Sequence, residues 1–385
     1  MSNSFQEAVG YLLSLGNEVL AMKLGLENIR KLLDALDRPQ DKYTKVQVAG
    51  TNGKGSVCAF VNSICVAAGI RVGMFTSPHL ISITERVQIN GTEISEDDFA
   101  RLSTRVRETS ERLVEAGELE NIPTFFEQVT AIALLAFAEA NVEVAILETG
   151  LGGRLDATTA ADADICAITR IDLDHQQYLG ETIEEIAAEK AAIIQRDTQN
   201  VVIGEQRPEA LRVVLERCKQ VGIRDLDWEP HLRWTVDAVS SLKVKVATTR
   251  HVFSDIELGL RGAHQRENAE TAINVVRILR YDFALGISDE NVLAGLAAAR
   301  HAGRLESIGR FLLDGAHNPG GAQALRDYLD EFVRGPITMI FGSMNDKDAR
   351  EILSILCARA QRVILTRADS LRSSPPESLV ECLPE

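Results

Sequence analysis

A chain of 385 residues is longer than one hydrophobic core usually accommodates, so two domains are expected. Hydrophobic residues at 45% and charged residues at 25% suit a soluble globular protein, and a net charge of −15 excludes nucleic-acid binding through a broad basic face. No apolar run approaches the roughly 18 residues of a membrane span, and no charged segment followed by an apolar one opens the chain, so a cytoplasmic protein without membrane partners is expected.

In chain order, Lys45–Ala49 reads as a short buried strand, Gly50–Gly55 as a glycine-rich loop and Ser56–Ala68 as a helix. Further strands are predicted at Ile70–Phe75, Val142–Glu148 and Asp164–Ile171, with helices at Phe125–Ala140 and Thr182–Ile194. Strands alternating with helices predict an α/β fold with a mostly parallel sheet covered on both faces. Residues 225–260 change character, with Trp228, Trp234 and the alternating stretch Leu242–Ala247, and predict an antiparallel ribbon or an addition to a sheet edge. Helices over Arg266–Arg280 and Ser288–Ala299 lead to a hinge at His301-Ala302-Gly303-Arg304. Strand and helix alternation then restarts, with strands at Phe311–Leu313, Ile337–Phe341 and Val363–Thr366. The expected division is 1–300 for the larger domain and 301–385 for a smaller α/β domain. The six cysteines contain no CxxC pair, which argues against zinc. Cys58 and Cys65, seven apart in a helical segment, share one face and read as buried, reduced thiols.

The central motif is Ala49-Gly50-Thr51-Asn52-Gly53-Lys54-Gly55-Ser56. Glycines let backbone N–H groups approach phosphate oxygens, and the helix N-terminus adds partial positive charge. A lysine then bridges phosphates and a hydroxyl ligates magnesium. Gly50, Thr51, Asn52, Gly53, Lys54, Gly55 and Ser56 are therefore candidates for binding ATP. Val48 at the first glycine position, and Gly55 between Lys54 and Ser56, depart from the strict phosphate-loop pattern.

Glu148 closes a predicted strand, where the carboxyl end faces the ligand crevice of an open α/β sheet and a carboxylate suits a metal. His175 follows the next strand and offers a ring nitrogen, although a histidine beside Asp174 is also what a surface turn carries. Thr182 and Glu185 form a capping box that sets the register of the following helix. Ile183, Ile186, Ala187, Lys190 and Ile194 then share a face, which aims a lysine along an apolar surface, where it either serves a site or snorkels to solvent.

The loop variant resembles that of the Mur ligase superfamily, and the remaining segments are similar to its folylpolyglutamate synthase and dihydrofolate synthase branch. They are Lys23-Leu24-Gly25-Leu26-Glu27, Thr76-Ser77-Pro78-His79-Leu80, Glu85–Gly91, Thr124-Phe125-Phe126-Glu127, Glu148–Ala157, Asp174-His175-Gln176, His264-Gln265, Gly303-Arg304 and Asp314–Pro319. The resemblance implies a Mur-ligase-type phosphate-loop domain followed by a smaller glutamate-ligase domain, acting as a monomer on small molecules: ATP, L-glutamate and folate or dihydropteroate.

It also implies that Glu148 and His175 bind magnesium near the γ-phosphate. The Lys190 side chain would carry a carbamate that helps hold a second ion. Asn268, Arg304 and Asp314 would contact the nucleotide, with Arg304 neutralising phosphate charge and His317 facing glutamate or the transferring phosphate. Ser77, His79, Phe126 and Asp156 would receive the folate, with Phe126 against the ring system and Asp156 accepting from ring N–H groups. The implied chemistry is attack of the acceptor carboxylate on ATP to give an acyl phosphate, which the glutamate amine displaces; Lys54, Lys190, Arg304 and His317 are the candidate catalytic residues. A cell-wall Mur ligase and a nucleotide-dependent switch without ligase activity are the alternatives. Family members continue with a further strand and helix, so a shortened second domain is expected. Thr159, and His301-Ala302 before Gly303, depart from the family pattern.

Overall fold

The structure, a computed structural model, describes residues 4–16, 25–223, 225–227, 235–236, 244–247, 252–370 and 372–384. Lys23, Leu24, Trp228, Trp234 and Leu242, which figured in the sequence reading, lie outside them.

The first strand, β1, runs Thr44–Ala49, and the apolar run that predicted it is buried along nearly its whole length. The sheet then takes β2 (Val72–Phe75), β3 (Val87–Ile89), β4 (Thr92–Glu93), β5 (Val144–Glu148), β6 (Ile165–Ile168), β7 (Asn200–Ile203) and β8 (Asp225–Asp227). Their order across the sheet is β4-β3-β2-β5-β1-β6-β7-β8. All pairs are parallel except β2–β3 and β3–β4, so the antiparallel strands sit at one edge. Both faces of β1 and β5 are covered, as parallel strands built of continuous apolar residues require.

Helices Lys54–Ala67, Gln265–Tyr281 and Asp289–Ala298 pack around Phe60, Ile64, Ile146 and Leu296. Helices Glu27–Ala35, Glu96–Glu115 and Phe125–Glu139 form a second apolar cluster with Phe75, Phe99 and Phe137, and Ile183–Ala191 and Pro208–Val221 form a third with Ile168 and Ile186. Cys58 and Cys65 are both buried and unbonded, as their shared helical face predicts.

The predicted strand Asp164–Ile171 is corrected to Ile165–Ile168. Past Ile168 the Arg170 carbonyl accepts from the backbone N–H groups of Thr51 and Asn52, at 2.9 and 3.2 Å, so it leaves the ladder to brace the glycine-rich loop. The helix after that loop starts at Lys54, earlier than predicted, with Gly53 as its N-cap.

The 225–260 region takes both of the expected forms: β8 adds to the edge of the main sheet, in parallel with β7. The antiparallel pattern belongs to β9 (Thr235–Val236), β10 (Val244–Ala247) and β11 (Val252–Ile256), ordered β11-β10-β9.

After residue 300, β12 (Glu306–Ile308) and β13 (Phe311–Leu313) form an antiparallel hairpin, whereas the sequence placed Phe311–Leu313 within the restarted α/β alternation. Strands β14 (Thr338–Phe341) and β15 (Arg362–Leu365) pair in parallel. Helices Pro319–Phe332, Ala349–Cys357 and Pro376–Val380 accompany them around a separate apolar cluster that includes Phe341, Leu353 and Leu379.

The Thr182–Glu185 capping box is present in full, with Thr182 Oγ accepting from Glu185 N and the Glu185 carboxylate accepting from Thr182 N. Because this cap fixes the helix that carries Lys190, Thr182→Ala is expected to lower stability by about 1 kcal/mol, read from the midpoint of urea unfolding.

Candidate active site

The loop Gly50–Gly53 joins the carboxyl end of β1 to helix Lys54–Ala67, so that helix points its N-terminus at the loop. Gly50, at φ +156°, and Gly53, at φ +93°, occupy backbone conformations that side chains rarely adopt. A Cβ on Gly50 would lie 1.9 Å from Thr169 Oγ1, and one on Gly53 2.2 Å from Asn268 Oδ1. Gly50→Ala is therefore expected to destabilise the fold by about 1–3 kcal/mol, through overpacking and backbone strain together, with the loss read by urea unfolding.

Thr51 Oγ1 donates to the Asp172 carbonyl and accepts from its N–H, tying the loop to the segment after β6. Ser56 Oγ accepts from Gln265, whose side-chain carbonyl accepts from Asn268, so one turn of helix Gln265–Tyr281 reaches both the hydroxyl and the glycine loop. Gly55 leaves room for His301, whose Nε2 would meet a Cβ there at 2.4 Å. His301, one of the departures from the family hinge, thus packs against the glycine that separates Lys54 from Ser56.

Lys54 Nζ donates to the carbonyls of Gly50 (3.1 Å) and Thr51 (3.3 Å). Lys190, 4% exposed, also donates to the Gly50 carbonyl, at 2.9 Å, so two ammonium groups converge on one oxygen. Burial, followed by the nearby Lys54 charge, pulls the Lys190 pKa down to about 7. Lys54 is lowered by burial against the opposing charges of Glu148 and Asp174. Glu148, at the end of β5 and 4% exposed, is raised by burial against the opposing pull of Lys54, and accepts from Ser77 N at 3.2 Å.

Asp174 is the meeting point with the residues after 300. Its carboxylate accepts from Lys347 Nζ at 2.8 Å and Asn318 Nδ2 at 2.9 Å, and lies 3.6 Å from His317 Nε2. Burial pushes its pKa up, but His317, His175 and Lys347 outweigh this and hold it well below the usual carboxylate range. Beside it, His175 is drawn down to about 4 by burial, and its Nε2 accepts from Lys347 at 3.0 Å.

A cavity of about 750 Å³ lies between these parts. One wall carries Ser77, Phe126, Gly150, Leu151, Asp156 and His175; the other carries Asp314, His317, Lys347, Arg367 and Arg372. The folate candidates Ser77, Phe126 and Asp156 thus share a cavity with His175, Asp314 and His317. His79 does not line it and instead accepts from Arg86 Nε at 2.8 Å through its Nδ1.

Asp156 is 1% exposed and already accepts from Leu151 N, Thr158 N and Thr158 Oγ1, so it shapes its own loop. Asp314 is similar, accepting from Leu305 N and Ala316 N. The Arg304 guanidinium makes no hydrogen bond among the described residues, though its charge is felt at Lys54 and Glu148. Phosphate-loop residues do not line the cavity. Lys347, Asp346, Arg367 and Arg372 had no sequence signal beyond charge in a turn.

Magnesium takes hard oxygen ligands and, less often, imidazole nitrogen. Ser56 Oγ, the buried Glu148 carboxylate and a His175 ring nitrogen are chemically suitable, since burial lowers the His175 pKa and leaves the imidazole a lone pair to give. Among the described residues no three His, Cys, Asp or Glu side chains already group as a metal centre, so phosphate oxygens or a further anionic side chain are needed to complete the ligand set.

The Mur ligase middle-domain model matches residues 48–276, and the Mur ligase glutamate ligase-domain model matches residues 303–385. A Bacillus subtilis dihydrofolate synthase/folylpolyglutamate synthase is 34% identical over 391 residues, covering 99% of this chain and 89% of that protein. The chain belongs to the folylpolyglutamate/dihydrofolate synthase family of Mur ligases.

A probable bifunctional folylpolyglutamate synthase/dihydropteroate synthase of Haloferax volcanii is 38% identical over 384 residues. The alignment takes in 97% of this Mur ligase and spans 44% of that longer protein. A solved bifunctional folylpolyglutamate synthase/dihydrofolate synthase, with manganese, AMPPNP and L-glutamate bound, matches at a TM-score of 0.85 with 31% identity, covering 99% of this chain and 88% of that one. Among the described residues no helix is long and apolar enough to cross a membrane.

Proposed function

We propose that this Mur ligase adds L-glutamate to the carboxylate of a folate, a dihydropteroate or both, cleaving ATP to ADP and phosphate. The observation that carries this reading is the cavity itself. Its aromatic wall, at Phe126, suits a flat ring system, and its opposite wall presents the cations Lys347, Arg367 and Arg372, which suit the carboxylates of an amino acid. The likeness to a protein solved with L-glutamate, an ATP analogue and manganese supports the same assignment.

In this reading residues 1–300 hold the ATP phosphates and the folate, and residues 301–385 hold glutamate and bring Arg304 and Asp314 to the nucleotide. An acceptor carboxylate oxygen attacks the γ-phosphorus, ADP leaves, and the glutamate amine attacks the acyl carbon and expels phosphate. Backbone N–H groups of Gly50–Ser56 receive phosphate oxygens, Lys54 and Arg304 neutralise their charge, and Asn268 and Asp314 hold the nucleotide. Positioning and charge neutralisation supply most of the catalysis in such a transfer.

Ser56, Glu148 and His175 would hold magnesium, with a Lys190 carbamate joining them for a second ion; the metal supplies charge neutralisation at the transferring phosphate. A lysine whose pKa falls to about 7 is substantially neutral under physiological conditions. Its amine adds to carbon dioxide, forming an N–C bond and releasing a proton, and replaces one of two crowded cations by an anion.

The test is ADP release by purified protein with ATP, magnesium and glutamate, with dihydropteroate and tetrahydrofolate compared as acceptors. Release that depends on glutamate and on at least one acceptor is expected. ADP release indifferent to both would make the protein a nucleotide-dependent switch.

A further inference from the structure

The turn after β14 carries Asp346 and Lys347, which reach across to His175 from the other side of the cavity. Lys347 Nζ lies 3.0 Å from His175 Nε2. An ammonium group only donates, so Nε2 is the accepting nitrogen and the ring hydrogen sits on Nδ1. That Nδ1 is buried and has no hydrogen-bond partner among the described residues. Asp346 Oδ2 is likewise buried and without one, 4.0 Å away, while Arg372 holds the other carboxylate oxygen at 2.9 Å. A donor and an acceptor, both stripped of water and both unmatched, thus face each other about 1 Å beyond hydrogen-bond range. The charged groups around the imidazole are Asp174 and Lys190 from its own part of the chain, and Lys347, Asp346 and His317 from the residues after 300.

We propose that Asp346 is a positioning residue for the metal site: closing the small gap, it accepts the His175 Nδ1 hydrogen and fixes the tautomer that keeps the Nε2 lone pair available to a metal ion. The glutamate-ligase part of the chain then helps to orient a ligand that belongs to the ATP-binding part. Because Lys347 and a metal ion need the same Nε2 lone pair, Lys347 would have to leave His175 for the ion to be held there. This inference rests on His175 being a metal ligand, which is tested separately below.

The experiment uses the full chain with Mn²⁺ as the probe, following free Mn²⁺ by electron paramagnetic resonance with ADP present. Removing a group that orients a metal-bound histidine weakens metal binding by about 10- to 100-fold. That loss is expected for Asp346→Ala, with substantial recovery in Asp346→Asn, whose amide oxygen still accepts. In parallel, ¹⁵N correlation spectra taken without metal are expected to show His175 protonated on Nδ1 in the parent, and an increased share of the Nε2–H form in Asp346→Ala. His175→Gln assigns the signal and checks the ligand reading.

Unchanged Mn²⁺ affinity in His175→Gln would overturn that ligand reading. Lost affinity in His175→Gln with unchanged affinity and tautomer in Asp346→Ala would overturn the Asp346 proposal alone, as would a parent spectrum showing Nε2–H. Asp346→Ala and Asp346→Asn losing affinity equally would also overturn it, since acceptance at that oxygen would not be the cause.

Discussion

Lys54→Ala is expected to lower kcat/KM by at least about 10²–10³-fold, the scale of losing one pre-positioned charge or donor at a site of developing negative charge, while the protein stays folded. The lysine opens helix Lys54–Ala67, and among the described residues its ammonium is hydrogen-bonded only to two carbonyls of its own loop, Gly50 and Thr51. Losing those bonds costs about 1 kcal/mol, since none of them joins separate packing layers. Steady-state kinetics beside a urea melt separates the two effects. Full turnover in a folded Lys54→Ala protein would remove the phosphate-loop assignment.

Lys190→Ala is expected to lose most activity by a different route. Here the side chain is buried, 4% exposed, and its amine shares the Gly50 carbonyl with Lys54. As an ammonium it adds to the positive charge that already depresses its own pKa. As a carbamate it supplies an anion for magnesium. Removal of the side chain leaves a space that a short carboxylate fills, so formate or acetate is expected to restore part of the activity of Lys190→Ala. Lys190→Arg is expected to remain inactive, because a guanidinium stays charged and does not form the carbamate. A fully active Lys190→Arg would return Lys190 to a structural role. Mass spectrometry of the native protein under carbon dioxide, trapped by alkylation, tests for the carbamate directly, and an unmodified Lys190 would contradict it.

The orientation of Lys190 was legible because its helix begins at a capping box, and from Thr182 the register can be counted to Ile186, Ala187 and Lys190, all three buried in the fold. The strand, loop and helix around Gly50–Ser56 were legible for the same reason: apolar runs and glycines have one local meaning there. Ends of elements were less so. Thr169 and Arg170 extend the apolar strand Ile165–Ile168 in sequence, but the Arg170 carbonyl is drawn to Thr51 and Asn52, a demand made from far away in the chain.

The hairpin β12–β13 shows the same limit, since Phe311–Leu313 has a strand's composition and only pairing decides which sheet receives it. Lys347 stayed hidden because Asn345-Asp346-Lys347-Asp348 reads as a solvated turn. Its partner Asp174 lies 173 residues earlier, and nothing local announces the contact. The Asp156 carboxylate closes its own loop through Leu151 and Thr158, a use that an Asx turn makes of the residue, while Asp156 also lines the cavity.

The most direct measurement of ligation through an acyl phosphate follows oxygen from the acceptor. With dihydropteroate or folate labelled with ¹⁸O in the carboxylate, together with ATP, magnesium and glutamate, one labelled oxygen is expected in each inorganic phosphate released. The carboxylate oxygen that attacks phosphorus departs with it when the glutamate amine closes the amide. Unlabelled phosphate formed alongside the amide would contradict the account, because ATP cleavage would then proceed without the acceptor oxygen ever bonding to phosphorus.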